Sequence, residues 1–211
     1  MIFIRDDARK RKNKLREKQA IFTVLVEIAE NFPISTKKIS DTINSSGRKI
    51  SVNTVDAYIR ALCESFIFYS VGRFDIKGKL YLKTLGKYYI VDTGIRNMLL
   101  ESSSPDLGHQ LENIVYLELL HRFRRVSIGK FADKEIDFVV TDVNNADGTP
   151  GTAYYQVAAS VLEPKTLTRE LESLQKIKDN HPKYLITLDD FPDKANHNGI
   201  IQQNLIDWLL S

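Results

Sequence analysis

Lys134-Glu135-Ile136-Asp137-Phe138-Val139-Val140 is the stretch on which the reading of this chain turns. Its apolar, β-branched and aromatic residues favour a strand. A carboxylate set inside such a strand is costly unless it is paired, hydrogen-bonded or metal-bound. Strand-like runs lie on either side, over 126–131 and 153–158, the second centred on Tyr154-Tyr155-Gln156-Val157. Between them, residues 144–151 read Asn-Asn-Ala-Asp-Gly-Thr-Pro-Gly, turn chemistry that predicts a surface hairpin loop. A helix is predicted over 108–123, with Leu111, Ile114, Val115, Leu119 and Arg122 at helical spacing. Further on come a helix over 166–179, strands over 184–188 and 200–203, and a closing helix over 205–210 that docks through Trp208. This order predicts an α/β fold (α+β overall), a mixed sheet flanked by helices. Glu112 on the first helix, Asp137 and Gln156 are its candidate site residues, with Glu112 and Asp137 as candidate metal ligands.

The half of the chain before this sheet has a different character. Residues 1–100 carry 19 Lys and Arg against 10 Asp and Glu, whereas residues 101–211 carry 11 against 17. The overall charge of +3 therefore averages two unlike parts, and the basic one predicts a polyanionic partner. The densest basic run, residues 5–18, reads either as a solvated helical extension or as an arm contacting phosphates. A helix is predicted over 17–32, ended by Pro33, followed by a short helix over 37–43 capped by Ser35 or Thr36. Ser51 or Asn53 caps a third helix reaching Ser65, in which Tyr58 and Cys63 are expected to face the core. A β-ribbon follows, with a polar tip over 73–79.

Helix, short helix, turn, helix and ribbon is the order of a winged helix-turn-helix, in which the third helix enters the DNA major groove. Arg48, Lys49, Asn53, Thr54 and Arg60 on and before that helix, and Arg73, Lys77 and Lys79 on the wing, are the expected DNA contacts. Arg suits guanine, Asn adenine and Lys phosphate. A protein-docking role without nucleic acid is the alternative for such a module. The expected division is a basic lead-in over 1–16, a winged helix-turn-helix over 17–90, a connector over 91–105 and a sheet domain over 106–211.

The pattern Gly108-x-x-x-Glu112, Ile136-Asp137-Phe138 and Gln156-x-Ala158 resembles the PD-(D/E)XK nuclease core, also called restriction-endonuclease-like. That resemblance implies a divalent-metal site, Mg or Mn, held by a helix acid, a strand Asp and an acid-x-Lys pair. Ala158 stands where the lysine is expected. Losing one preorganised charge partner for a developing oxyanion typically slows such reactions by about 10²–10³, so the resemblance implies a degenerate, non-cleaving fold. A metal-dependent DNA endonuclease using Glu112, Asp137 and Gln156 is the alternative, with Lys134 or Lys165 as a substitute ammonium.

A broader likeness spans nearly the whole chain. Ser51-Val52-Asn53-Thr54-Val55, residues 89–96 (Tyr-Ile-Val-Asp-Thr-Gly-Ile-Arg), Glu112-Asn113-Ile114-Val115 and the strand around Asp137 are similar to the C-terminal region of a prokaryotic AAA-type ATPase family. In that family an ATPase domain precedes a winged helix and a nuclease-like domain. The resemblance implies that ATP is bound only by the ATPase domain, which this sequence does not contain, and that the chain is an excised portion acting in cis with it.

Several chemistries find no foothold. Residues 72–79 imitate a phosphate-binding loop, but the glycine spacing is too long by one and Leu80 replaces the magnesium-binding hydroxyl. The four histidines lack metal-ligand spacing, and no nucleophile elbow or dinucleotide fingerprint appears. One cysteine, Cys63, excludes a disulfide framework within the chain. No apolar run is long enough for a membrane span and no signal-peptide core is present, so the expected location is cytoplasmic. Glu163, Lys165, Arg169, Glu170 and Glu172 read as a solvated helix face.

Overall fold

The computed structural model describes residues 2–30, 34–100, 107–144, 150–190 and 195–211, with backbone alone for 2–13, 15, 83–85, 144 and 150. The chain divides into two compact units, Met1–Tyr69 with Ile90–Ser103 and Ser70–Tyr89 with Ser104–Ser211.

In the first unit, helices α1 (Ile2–Glu30), α2 (Thr36–Ser45) and α3 (Val52–Glu64) bury Val24, Ile28, Ile39, Ile43, Val55 and Ile59 at their helical spacing. The basic run of residues 5–18 is helical and continuous with the amphipathic segment, forming one long helix. Both expected caps form: Ser35 Oγ accepts from Lys38 N and Ser51 Oγ from Thr54 N, each at 3.1 Å. Tyr58 and Cys63, expected to face the core, are only half-buried, while Val55 and Ile59 of the same helix are buried. The stretch expected as a connector contains a helix, α4 (Thr93–Leu100), whose start is fixed by Asp92 Oδ1 accepting from Gly94 N at 2.7 Å. Arg96 lies buried on it and donates through Nε to Ala29 O at 3.1 Å. The Ser- and Pro-containing stretch over 101–106 lies outside the described residues, as does most of the hairpin loop expected over 144–151.

The second unit is a mixed α/β structure, a sheet flanked by helices. Strands β1 (Phe68–Asp75), β2 (Leu80–Ile90), β3 (Val126–Phe131), β4 (Lys134–Asn144), β5 (Pro150–Val157), β6 (Lys183–Thr187), β7 (Asn196–His197) and β8 (Ile200–Asn204) form one sheet in the order β2-β1-β3-β4-β5-β6-β8-β7. β3, β4 and β5 pair antiparallel, while β5, β6 and β8 run parallel. Helix α6 (Pro164–Gln175) covers one face, where Leu171 and Leu174 pack with Ile136, Val139, Tyr154, Leu185 and Ile200. Tyr155, the neighbour of Tyr154 in β5, points to the opposite face. There it meets Tyr184 and the buried Trp208 of α7 (Leu205–Leu209), over which Arg122 of α5 (Leu107–Arg122) lies 4.6 Å from the ring centroid. Trp208 thus docks the closing helix as its sequence context predicts.

The ribbon is where the structure departs from the sequence reading. The hairpin expected as a wing, with Arg73, Lys77 and Lys79 along phosphates, is the edge of the large sheet, because β1 pairs in parallel with β3 (Arg73↔Ile128, Asp75↔Lys130). Parallel partners are distant in sequence and leave no local trace. A Cβ at Gly86 would run into the Val71 carbonyl, so glycine is what lets β2 lie against β1 there. The division between units accordingly falls at residues 69 and 70, and residues 70–89 belong with the sheet domain.

Candidate functional site

The site assembles around the carboxylate singled out in the sequence. Between the pairs Gly129↔Ile136 and Ser127↔Val139, β4 advances by three residues while β3 advances by two, which is a β-bulge spanning Asp137 and Phe138. Bulges re-aim side chains and recur beside functional sites. Here the extra residue lets Ile136 stay in the core under α6 while Phe138 joins Tyr89 and Tyr116, with ring centroids 5.6 and 5.9 Å away. Asp137 lies between them, and its Oδ2 accepts from Val157 N at 2.8 Å.

Gln156 faces it across the β4–β5 pair. Its Oε1 accepts from Asp137 N at 3.4 Å and its Nε2 donates to Glu170 Oε2 at 3.1 Å. Glu170, expected on a solvated helix face, is instead turned inward onto this amide, its side chain only 12% exposed. The other members of that mixed-charge face are exposed or half-buried.

Glu112 completes the cluster, but its partner was not foreseen. Lys87 of β2 places Nζ 2.7 Å from Glu112 Oε1 and 2.9 Å from Glu135 Oε1. Tyr89 Oη donates to the same Glu112 oxygen at 2.7 Å, and Arg73 pairs with Glu135 Oε2 at 2.8 Å. Glu112, Asp137 and Gln156 therefore do belong to one connected cluster. The ammonium beside them comes from Lys87, not from Lys134, which pairs with Glu172 at 3.3 Å, nor from the exposed Lys165. One local signal could have found Lys87: like Asp137 it is a charge inside a strand-forming run, Gly86-Lys87-Tyr88-Tyr89-Ile90.

The electrostatics follow from this crowding. Burial, and then the Glu112 carboxylate, push Asp137 well above the usual aspartate range, while Lys87 and the Val157 N–H pull the other way and lose. Burial alone would lower Lys87, but Glu112, Asp137 and Glu135 together outweigh it and hold the ammonium above its ordinary range. Burial and then Glu112 raise the Tyr89 hydroxyl, which stays a donor.

A hard divalent cation needs several free carboxylate oxygens around one point. Here one Glu112 oxygen already takes an ammonium and a hydroxyl, Asp137 Oδ2 takes a backbone N–H, and both ends of the Gln156 amide are engaged. Among the described residues no three His, Cys, Asp or Glu side chains are grouped to hold a metal. The arrangement fits an internal ammonium and does not fit Mg or Mn at Asp137 and Glu112.

The expected DNA contacts separate between the units. In the first, Asn44 staples the turn before α3, with Oδ1 accepting from Ile50 N at 2.7 Å and Nδ2 donating to Ile50 O at 3.1 Å, while Gly47 takes φ +82°. This presents Arg48 and Lys49 beside Arg16, Ser51, Thr54 and Tyr58 on an open groove of about 640 Å³. Asn53 is exposed on the first turn of α3, and Arg60, further along, pairs with Asp56 at 3.1 Å. In the second unit, Lys77 and Lys79 are exposed at the hairpin tip, but Arg73 is engaged by Glu135.

Residues 3–106 match a family model described as a domain of unknown function (DUF8612). That span ends before α5, so it contains Lys87 and excludes Glu112, Asp137 and Gln156. The chain is also similar to an "Uncharacterized protein" of Haemophilus influenzae, 35% identical over 198 residues, which cover 93% of this chain and 47% of the relative. The chain thus spans about half the length of the curated relative it matches. No solved structure gives a significant match. Among the described residues no helix is long and apolar enough to cross a membrane.

Proposed function

We propose that this chain is the nucleic-acid-holding portion of a larger AAA-type ATPase, with a winged-helix-like first unit that grips duplex DNA and a PD-(D/E)XK-like second unit that does not cleave. The observation that carries the second half is Lys87: its ammonium sits between Glu112 and Glu135, while Ala158 stands where the catalytic lysine is expected. Of the two carboxylates that would gather a metal, Glu112 is already engaged by this ammonium and Asp137 by the Val157 N–H. The first half rests on the groove lined by Arg16, Arg48 and Lys49 beside the start of α3. The relative, of which the match covers 47%, is long enough to carry a further domain such as an ATPase.

An electrophoretic shift at graded salt tests the binding. Wild type is expected to retain duplex DNA, with Arg48→Glu/Lys49→Glu weakening it by about one to two orders of magnitude and flattening the salt slope. Unchanged affinity in that variant removes the first unit as the DNA contact, and no binding by wild type leaves a protein-docking module. The second reading, an endonuclease with Lys87 as a relocated lysine, is favoured by the 2.7 Å contact between Lys87 and Glu112. Plasmid incubated with Mg²⁺ or Mn²⁺ is expected to stay supercoiled. Metal-dependent nicking that disappears in Asp137→Ala would establish the endonuclease instead.

A further inference from the structure

Glu135 does something in this cluster that neither a nuclease core nor a buried salt bridge requires. Its two carboxylate oxygens are divided between two cations from different strands: Oε2 takes Arg73 of β1 at 2.8 Å and Oε1 takes Lys87 of β2 at 2.9 Å. The exposures are graded, with side chains 34% exposed for Glu135, 19% for Arg73 and 5% for Lys87. The anion is therefore the outer member and the two cations lie behind it. Lys130, directly across the β3–β4 pair from Glu135, is exposed and adds positive charge at the rim. Asp75, opposite Lys130 on β1, is turned to its own hairpin, accepting from Lys77 N at 3.0 Å and Gly78 N at 3.2 Å.

We propose that Glu135 is an internal stand-in for a phosphate, and that Arg73 and Lys87 form an oxyanion site for a nucleic-acid phosphodiester which Glu135 covers until that ligand displaces it. A carboxylate and a phosphate offer a cation pair the same chemistry, two anionic oxygens on one centre, and a guanidinium accepts either in the same geometry. The exchange is close to balanced because an anion replaces an anion. Lys87 keeps Glu112 throughout, so the buried ammonium is never left without a carboxylate. Glu135, already partly in water, swings outward without burying a new charge. No bond is made or broken: the site holds a phosphate without cleaving it, and the inference rests on the non-cleaving, nuclease-like reading of the second unit.

The test is binding to the full chain carrying Glu135→Gln, measured by titrating a labelled single-stranded oligonucleotide at graded salt, with inorganic phosphate titrated by calorimetry in parallel. The amide keeps the shape of the gate and removes its charge. Oligonucleotide affinity is expected to rise about tenfold or more, and the salt slope to steepen by about one counterion as a further phosphate contact forms. Arg73→Gln added to Glu135→Gln is expected to return affinity to the wild-type level. If inorganic phosphate alone gains affinity, the site takes free phosphate and the nucleic-acid assignment is overturned. Glu135→Asp, which retains the charge on a shorter arm, guards against loss of fold: a gain there equal to that of Glu135→Gln, or no gain in either variant with thermal unfolding unchanged, defeats the proposal. The two readings fail separately. Binding through Arg48 and Lys49 surviving while Glu135→Gln gains nothing sinks only this inference, whereas a wild type that holds no duplex sinks the broader one.

Discussion

Lys87→Met is expected to destabilise the second unit by about 3–5 kcal/mol, the size typical of removing one partner from a buried ion pair. The loss exceeds that of an ordinary surface pair because Lys87 is almost fully buried and bonded to both Glu112 and Glu135. Methionine fills the same volume, so packing changes little and the effect reports charge. Glu112, itself only 12% exposed, would lose its ammonium and keep the Tyr89 hydroxyl. Glu112→Gln added to Lys87→Met is therefore expected to restore most of the loss, since an amide oxygen can still accept from Tyr89. Chemical denaturation of the two variants beside wild type measures both effects. A single variant losing less than about 1 kcal/mol would place Lys87 in the class of solvated pairs and contradict the burial seen here. The sign with pH is also fixed. Lys87 titrates above its ordinary range in the folded state, so the stability it contributes is complete below that range and disappears as pH rises through its folded titration. The deficit of Lys87→Met is consequently expected to shrink in strong alkali.

How much of this was legible in the sequence depends on whether the deciding interaction was local. Ser35 and Ser51 announce their helices because a cap acts within three residues. Strand β3 begins and ends where its residues say it should, and Asp137 advertised itself as a charge inside an apolar strand. The parallel pairing of β1 with β3 is decided by burial across the whole sheet, so the hairpin looked complete in itself and was read as a wing. The same division hid Lys87: with residues 17–90 grouped as one module, a lysine at position 87 is not sought beside Glu112. Glu170 was hidden differently, since the other charged residues of α6 are exposed or half-buried and the Gln156 amide that bonds it lies on β5. α4 has too short an apolar stripe to stand out, and two-residue β7 exists only as a partner for β8. Charges placed by tertiary contacts, rather than by periodicity, are what the linear pattern conceals.

Asp137→Asn should stabilise the protein, and by an amount that depends on pH in a prescribed way. Burial and then Glu112 raise the folded titration of Asp137 well above its ordinary range, so folding draws a proton into the pocket once pH rises past that ordinary range. A group of this kind contributes stability that is fully present below its unfolded range, near pH 4, and is lost as pH rises toward its folded titration. One extra proton in the folded state means a loss of about 1.4 kcal/mol per pH unit across that window. Asparagine carries no such penalty, and its carbonyl can still accept from Val157 N, the bond Asp137 Oδ2 makes at 2.8 Å. The difference between variant and wild type is thus expected to be near zero at pH 4, to grow with that slope, and to level off above the folded titration. Because the Glu112 charge is, after burial, the largest cause of that rise, Glu112→Gln should flatten the same profile. Unfolding free energies measured every half unit from pH 4 to pH 8 give the slope directly. A flat difference would mean that Asp137 is ionised in the folded protein at no cost, leaving its carboxylate available to a cation after all. A rising one means that this carboxylate is kept at the expense of stability, which is the signature of a residue retained for what the pocket does rather than for holding the sheet together.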